Sequence, residues 1–166
     1  MTGESTVLII LTSLCLGLLL VASWHDIAAR TIPNGLVLLL AVTAAMTAAW
    51  GGFLPGSLLS AAGVFGLAAI CWRCGWMGGG DVKLLGAAAL ALPPSSVLTF
   101  LAAMAIAGAL LAIVYLIART RLSAAAPLRS HRLLPRIIRA ERWRISRGGP
   151  LPYACAIGAG FLFAIT

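Results

Sequence analysis

Apolar runs of membrane-spanning length dominate this sequence and leave few folds open to it. The first run, Thr6 to Trp24, is long enough as a helix to cross a hydrocarbon core about 30 Å thick. Because 61% of the residues are hydrophobic and only 10% are charged, the chain has too little polar surface to cover a water-soluble globule of its size. The sequence therefore predicts an all-α protein, a polytopic helical bundle in a membrane.

We expect about six transmembrane segments in one domain that comprises residues 1–166. Nothing between the apolar runs is long enough to build a second core. The apolar stretch from Val82 to Ala118 is too long for a single crossing, so we divide it at Pro93-Pro94, where a helix is expected to break. The fourth segment then covers about half of the membrane thickness. The expected segments are Thr6–Trp24, Leu36–Trp50, Ser57–Trp72, Val82–Leu92, Ser95–Ala118 and Leu151–Thr166.

Basic residues fall on one side of the predicted bundle. With six segments, Arg30, Arg73, Lys83 and a basic loop at 119–149 share that side, and the loop holds nine of the 11 arginines. An excess of Lys and Arg marks the cytoplasmic side. The arginines at 119–147 indicate contact with anionic lipid headgroups rather than with nucleic acid. Within this loop, 133–139 has the spacing of an amphipathic helix that lies on the membrane surface.

Two of the four acidic residues share one predicted membrane face. Asp26 lies at the cytoplasmic end of the first segment and Asp81 at the cytoplasmic start of the fourth, whereas Glu4 lies on the far side and Glu141 in the basic loop. Paired carboxylates in a low-dielectric site tend to share one proton, so that one activates water and the other polarises a carbonyl. This is aspartic protease chemistry. Each aspartate could instead be a helix cap or an interface residue.

The residues around Asp81 leave two interpretations open. Gly78, Gly79 and Gly80 could let an extended substrate backbone approach closely, or they could form a plain hinge. Lys83 lies about 200° around a helix from Asp81, so we do not expect these two side chains to pair. Lys83 is expected to reach the headgroups or to support the loop.

Other catalytic chemistries have little support in the sequence. Cys71 and Cys74 form a single C-x-x-C pair, which is half of a four-cysteine zinc site, so we predict no metal and no cofactor. No serine or cysteine has a spacing from His25 or His131 that favours a nucleophile.

Three motifs in a fixed order carry a family resemblance. Gly78-Gly79-Gly80-Asp81-Val82-Lys83-Leu84 matches the pattern G-x-G-D-x-K-L. Asp26 is followed by Arg30-Thr31-Ile32-Pro33-Asn34, and Leu151-Pro152-Tyr153-Ala154-Cys155-Ala156 provides a closing Pro-Tyr segment. In this combination the sequence resembles the type IV prepilin peptidase family of membrane aspartic proteases. It is most similar to the short members that serve Tad (Flp) pili.

The resemblance implies an endopeptidase that cleaves a prepilin after a glycine, between a short basic leader and a hydrophobic helix. It would act on the cytoplasmic side of the bacterial inner membrane, with Asp26 and Asp81 as the two catalytic aspartates. The chain lacks the insertion that carries the methyltransferase region of longer members, so we expect cleavage without N-methylation. The residues expected to bind substrate or to support the site are Gly78, Gly79, Gly80, Lys83, Pro33, Asn34 and Tyr153.

Two other functions remain open at this point. Intramembrane carboxylates also relay protons, so the chain could be a small proton-coupled transporter or channel. An inverted repeat would favour that function, and the hydropathy pattern has none. The chain could also be a non-catalytic membrane component of a secretion or pilus assembly machine.

Overall fold

The computed structural model describes residues 3–121, 141–145 and 151–166, and within these ranges the regular structure is helical. The expected all-α membrane bundle is confirmed. The proposed surface segment at 133–139 and most of the basic loop lie outside the described residues. The six longer helices are α1 (Gly3–Ala29), α2 (Asn34–Trp50), α3 (Leu54–Arg73), α4 (Gly79–Leu90), α5 (Pro94–Arg121) and α6 (Tyr153–Ile165). Residues 141–145 form a short additional helical segment, here called the 141–145 segment.

The helices differ in whether they are long enough to cross a membrane. Three of them, α1, α3 and α5, have both the length and the hydropathy that a span requires, while α2 and α6 are shorter apolar helices. The division expected at Pro93-Pro94 is present, since α4 ends at Leu90 and α5 begins at Pro94. At 12 residues, α4 is about 18 Å long and does not cross the hydrocarbon core by itself.

The short helix α4 lies at the centre of the bundle. It packs against α3, α2 and α6, and most of its length is buried. Gly86 lets α3 approach closely, because a Cβ at this position would lie 3.0 Å from the ring of Phe65. Where α4 ends, the Ser57 hydroxyl of α3 donates a 2.6 Å hydrogen bond to the carbonyl oxygen of Leu92. Small residues thus give α4 close contact with its neighbours.

The outer faces of the bundle are apolar. Large side chains such as Leu59 and Leu98 are 79% and 78% exposed, and the buried residues of α5 are Val97 and Phe100. Apolar side chains exposed over whole helix faces require lipid rather than water around them. The chain is therefore an integral membrane protein.

The last helix, α6, lies very close to the backbone of α5 at Gly160. A Cβ added to Gly160 would lie 2.8 Å from the backbone nitrogen of Met104 and 2.9 Å from its Cα. Since these are backbone atoms, they cannot rotate away as a flexible side chain could. The contact between α5 and α6 depends on a glycine here, and α6 in turn packs against α1.

Candidate active site

Asp26 lies in the last turns of α1, and it is buried, with 7% of its surface exposed. The N–H of Arg30 donates to the carbonyl oxygen of Asp26 at 2.8 Å, and Arg30 has a φ of 56°. A residue in this left-handed conformation ends a helix and redirects the chain. At the start of α6, the N–H of Ala154 donates to the Asp26 carboxylate at 3.4 Å. The Ser23 hydroxyl donates to the Ala154 carbonyl at 3.0 Å, so α6 begins directly against the Asp26 turn.

Asp81 lies in the first turn of α4, where Gly78 is the N-cap residue. The Asp81 carboxylate lies close to Gly78, since a Cβ at Gly78 would be 2.9 Å from Oδ2 of Asp81. The backbone N–H of Gly78 favours the charged form of this carboxylate. An acid at the third position of a helix is placed to interact with the N-cap residue in this way. The position of Asp81 is therefore compatible with the helix cap that one interpretation of the sequence predicted.

The two carboxylates lie in the same region of the molecule. Two clefts, of about 330 and 370 Å³, share Asp26, Arg30, Gly78 and Asp81 among their lining residues. Burial, and next the neighbouring negative charge of Asp26, raise the pKa of Asp81 to about 6. Asp81 therefore keeps a proton at a higher pH than an ordinary aspartate does. A pair of acids of which one holds a proton can act as a base and an acid on one substrate.

Most of the other residues expected at the site lie around the same two clefts. The first cleft is lined by Gly78, Gly79, Gly80, Asn34 and Lys83, and Tyr153 lines the second. Pro33 is not a lining residue of either cleft.

Three of these residues, Lys83, Asn34 and Pro33, lie at the starts of α4 and α2 and have defined contacts there. Lys83 does not pair with Asp81, because its ammonium group donates to the side-chain oxygen of Asn34 at 3.0 Å. This contact joins the starts of α4 and α2. Pro33 is the N-cap residue of α2, with an extended backbone, so it supports the wall of the first cleft through Asn34.

An ionic cluster behind the clefts was not expected. Arg30 pairs with Glu141, which also accepts from the hydroxyl of Tyr115 in α5. Arg144 donates to Glu141 at 3.2 Å and to the carbonyl oxygen of Ile27 at 2.9 Å. Glu141 was expected in the basic loop and not at the depth of the aspartates, whereas in the structure it pairs with Arg30, which lines the same clefts as they do. The cluster fastens the 141–145 segment to the end of α1.

Sequence reasoning treats Arg30 as a marker of topology and misses its place beside both aspartates. One signal could have found it. Arg30 follows Asp26 by four residues, the separation at which a basic and an acidic side chain lie on the same side of a helix.

The structure brings together no group of three or more His, Cys, Asp or Glu side chains that could hold a metal, as far as its described ranges extend. Cys74 is the exposed C-cap residue of α3, and both Cys71 and Cys74 are free thiols. The expectation of a site without metal or cofactor stays a prediction.

Comparison with known protein families finds a match for this chain. Residues 13–113 match the model of the type IV leader peptidase family. Searches of curated proteins and of solved structures give no match. The matched region covers more than half of the chain, from α1 into α5, and it includes both aspartates and the glycine stretch. The chain is thus a membrane-embedded peptidase, and it belongs to the type IV leader peptidase family.

Proposed function

We propose that the chain is a prepilin leader peptidase of the aspartic type. One observation carries this proposal: Asp26 and Asp81, from distant parts of the sequence, line the same two clefts at one end of a membrane bundle. The substrate is a prepilin with a short basic leader and a hydrophobic helix, cut after a glycine between them. Arg30, Arg73 and Lys83 lie at the helix ends on this side, which supports a cytoplasmic location.

In the proposed reaction, the two aspartates divide the proton transfers between them. Ionised Asp26, oriented by the N–H of Ala154, takes a proton from a water molecule. The water oxygen attacks the carbonyl carbon of the glycine, while protonated Asp81 donates to the carbonyl oxygen. The resulting gem-diol then collapses: one of its hydroxyls returns a proton to Asp81, the C–N bond breaks, and the leaving amine receives from Asp26 the proton that came from water. The raised pKa of Asp81, about 6, supports its role as the proton donor.

The surroundings of the two aspartates suit a substrate that has a polar part and an apolar part. Gly79 and Gly80 form part of the first cleft, where an extended backbone can lie without meeting long side chains. The hydrophobic helix of the substrate stays in the lipid beside the bundle, and the basic leader stays in water. Cleavage without N-methylation, and a substrate of the Tad (Flp) type, complete the proposal.

The experiment is a cleavage assay with purified protein in detergent or in lipid vesicles. The substrate is a prepilin with its leader and hydrophobic helix, and the product is followed by its loss of mass. We expect Asp26→Asn and Asp81→Asn each to reduce cleavage by at least about 10³-fold, since each removes one member of an acid–base pair. Both variants should remain folded in the membrane.

Glu4→Gln is the matched control, because it makes the same chemical change at an exposed acid in the first turn of α1. It should cleave as the wild type does. Normal cleavage by either aspartate variant would refute the proposal that both aspartates are catalytic. The assay also separates a peptidase from a transporter and from a non-catalytic assembly component, neither of which shortens a prepilin.

A further inference from the structure

Arg30 occupies a position in the site that the proposed proton transfers do not use. It follows the last residue of α1 and lines both clefts together with Asp26 and Asp81. Its side chain is only 14% exposed, and its left-handed backbone fixes the direction in which the side chain leaves the helix. A guanidinium group buried beside two carboxylates is expensive to keep unless it has a defined set of partners.

One edge of this guanidinium group is firmly held. Its Nη2 atom pairs with Oε1 of Glu141, and Glu141 is itself only 14% exposed. The hydroxyl of Tyr115 donates to the same oxygen, and Arg144 donates to the other carboxylate oxygen at 3.2 Å. Three donors from three parts of the chain therefore converge on one acid. Glu141 is an anchor that leaves Arg30 little freedom to turn.

Two other nitrogen atoms of Arg30 have no acceptor in the described part of the chain. Both Nε and Nη1 are buried and have no hydrogen-bond partner among the residues that the structure describes. Buried polar groups without partners are rare in native proteins, and each one calls for an explanation. A guanidinium group presents its N–H donors in a rigid planar fork, so the direction of these two atoms follows from the bond to Glu141.

The charge balance narrows the class of ligand. Glu141 already pairs with Arg30. Two further acids, Asp26 and Asp81, line the same clefts. A ligand with another carboxylate would be repelled by these three acids, whereas a neutral acceptor would not be. The basic side chains of a prepilin leader have donors only and cannot accept a hydrogen bond from Arg30. Of the groups in an extended peptide that enters the clefts, the backbone carbonyl is the neutral hydrogen-bond acceptor.

On the basis of the proposed peptidase function, we propose that Arg30 binds a backbone carbonyl oxygen of the substrate peptide, and that Glu141 is a positioning residue that acts through Arg30. The bond to the carbonyl forms when the peptide binds and persists through the reaction. Its loss should therefore raise KM and leave kcat nearly unchanged.

The test is a kinetic comparison of Arg30→Gln, Glu141→Gln and the double variant, with a prepilin substrate. Loss of a charge-assisted hydrogen bond should raise KM about 10- to 100-fold in Arg30→Gln. Glu141→Gln should raise KM by a smaller factor, and the double variant should be no worse than Arg30→Gln alone. Arg73→Gln, at an exposed arginine that ends α3 outside both clefts, is the matched control and should keep the KM of the wild type.

A merely structural role for Arg30 predicts a different result. Thermal unfolding in detergent reports whether each variant is folded. If Arg30→Gln does not fold, Arg30→Lys replaces it, because it keeps the charge and removes the fork, and its KM should still rise. An unchanged KM in a folded Arg30 variant, or independent effects of the two single changes in the double variant, would overturn the proposal.

A binding measurement separates this proposal from the proposed function. A fluorescent peptide with a basic leader, a glycine and an apolar helix is titrated against the Asp81→Asn variant, which cannot cut it. Adding Arg30→Gln to this variant should weaken binding by the same factor as KM, and adding Arg73→Gln should not. If the wild type cuts no prepilin, the proposed function fails. In that case the peptide titration alone decides whether Arg30 binds the peptide.

Discussion

A methyl group at Gly78 should slow the enzyme without unfolding it. Gly78 is the N-cap residue of α4 and has φ and ψ of −73° and 144°, a conformation that alanine adopts without strain. The backbone N–H that favours the charged form of Asp81 is also kept in alanine. A Cβ at Gly78, however, would lie 2.9 Å from Oδ2 of Asp81. The change therefore acts on the position of one carboxylate oxygen.

The size of the effect follows from this distance. Ordinary contact with a Cβ begins at 3.4 Å, so the carboxylate oxygen has to move by about 0.5 Å. Catalytic groups need to lie within about 0.5 Å of the productive geometry, and a displacement of 1 Å costs about 10²-fold in rate. We expect Gly78→Ala to lower kcat by about tenfold. Because the oxygen is the end of a flexible side chain, the free energy of unfolding should change by less than about 1 kcal/mol.

The other two glycines of the stretch provide matched controls. A Cβ at Gly79 would lie 3.4 Å from the indole nitrogen of Trp72, and a Cβ at Gly80 would lie 3.4 Å from Ile32. Neither contact involves Asp81, so kcat in Gly79→Ala and Gly80→Ala should stay within about threefold of the wild type. Because both residues line the first cleft, contact between their methyl groups and the bound peptide should appear in KM. The assay is prepilin cleavage under saturating substrate, together with thermal unfolding in detergent. If Gly78→Ala has the kcat of the wild type while another glycine variant is slow, the argument from Asp81 geometry is wrong.

Three further predictions concern pH, packing and the wall of the first cleft. Because burial and the Asp26 charge raise the pKa of Asp81 to about 6, a pH above this value removes the proton that Asp81 donates, and kcat/KM should fall about tenfold per pH unit. Gly160→Ala forces a Cβ against backbone atoms of Met104 at 2.8–2.9 Å and should destabilise the protein by about 1–3 kcal/mol, measured by unfolding in detergent. Lys83→Ala removes the 3.0 Å bond to Asn34 at an exposed position and should lower kcat/KM by less than about tenfold.

Each of these three predictions has its own control. A kcat/KM that stays constant from pH 6 to pH 8 would contradict the role of Asp81 as proton donor. Gly63→Ala adds a methyl group to α3 where no atom of another element lies within 4 Å, so this variant should be as stable as the wild type or more stable by up to about 1 kcal/mol. Asn34→Ala should reproduce the effect of Lys83→Ala, and the two together should be no worse than either alone. A larger loss in the double variant would show that Lys83 acts by another route.

The helical bundle could be predicted from the sequence because lipid imposes simple rules on a chain. A membrane segment has to be long, apolar and helical, so the apolar runs and the Pro93-Pro94 break indicate α1 to α6 directly. The pairing of Asp26 and Asp81 needed one further step, the counting of crossings. Asp26 follows the first crossing and Asp81 follows the third, and this places both acids on one side.

The ionic cluster could not be predicted in the same way. The bond between Arg30 and Glu141 joins residues 111 positions apart, and it depends on how the 141–145 segment packs against α1 and α5. Charge counting treats the region as a basic loop and gives no reason to single out its one acid. The contact between Gly160 and Met104 is equally tertiary, since a glycine in an apolar helix is compatible with many neighbours.

The short length of α4 sets the level in the bundle at which Asp81 lies. α4 ends at its connection to α5, where the Ser57 hydroxyl near the start of α3 donates to the Leu92 carbonyl. Measured from that end, α4 is about 18 Å long, which is shorter than a hydrocarbon core about 30 Å thick. Under the proposed function, a substrate helix can keep its apolar length in lipid while the bond just beyond that length reaches the acids.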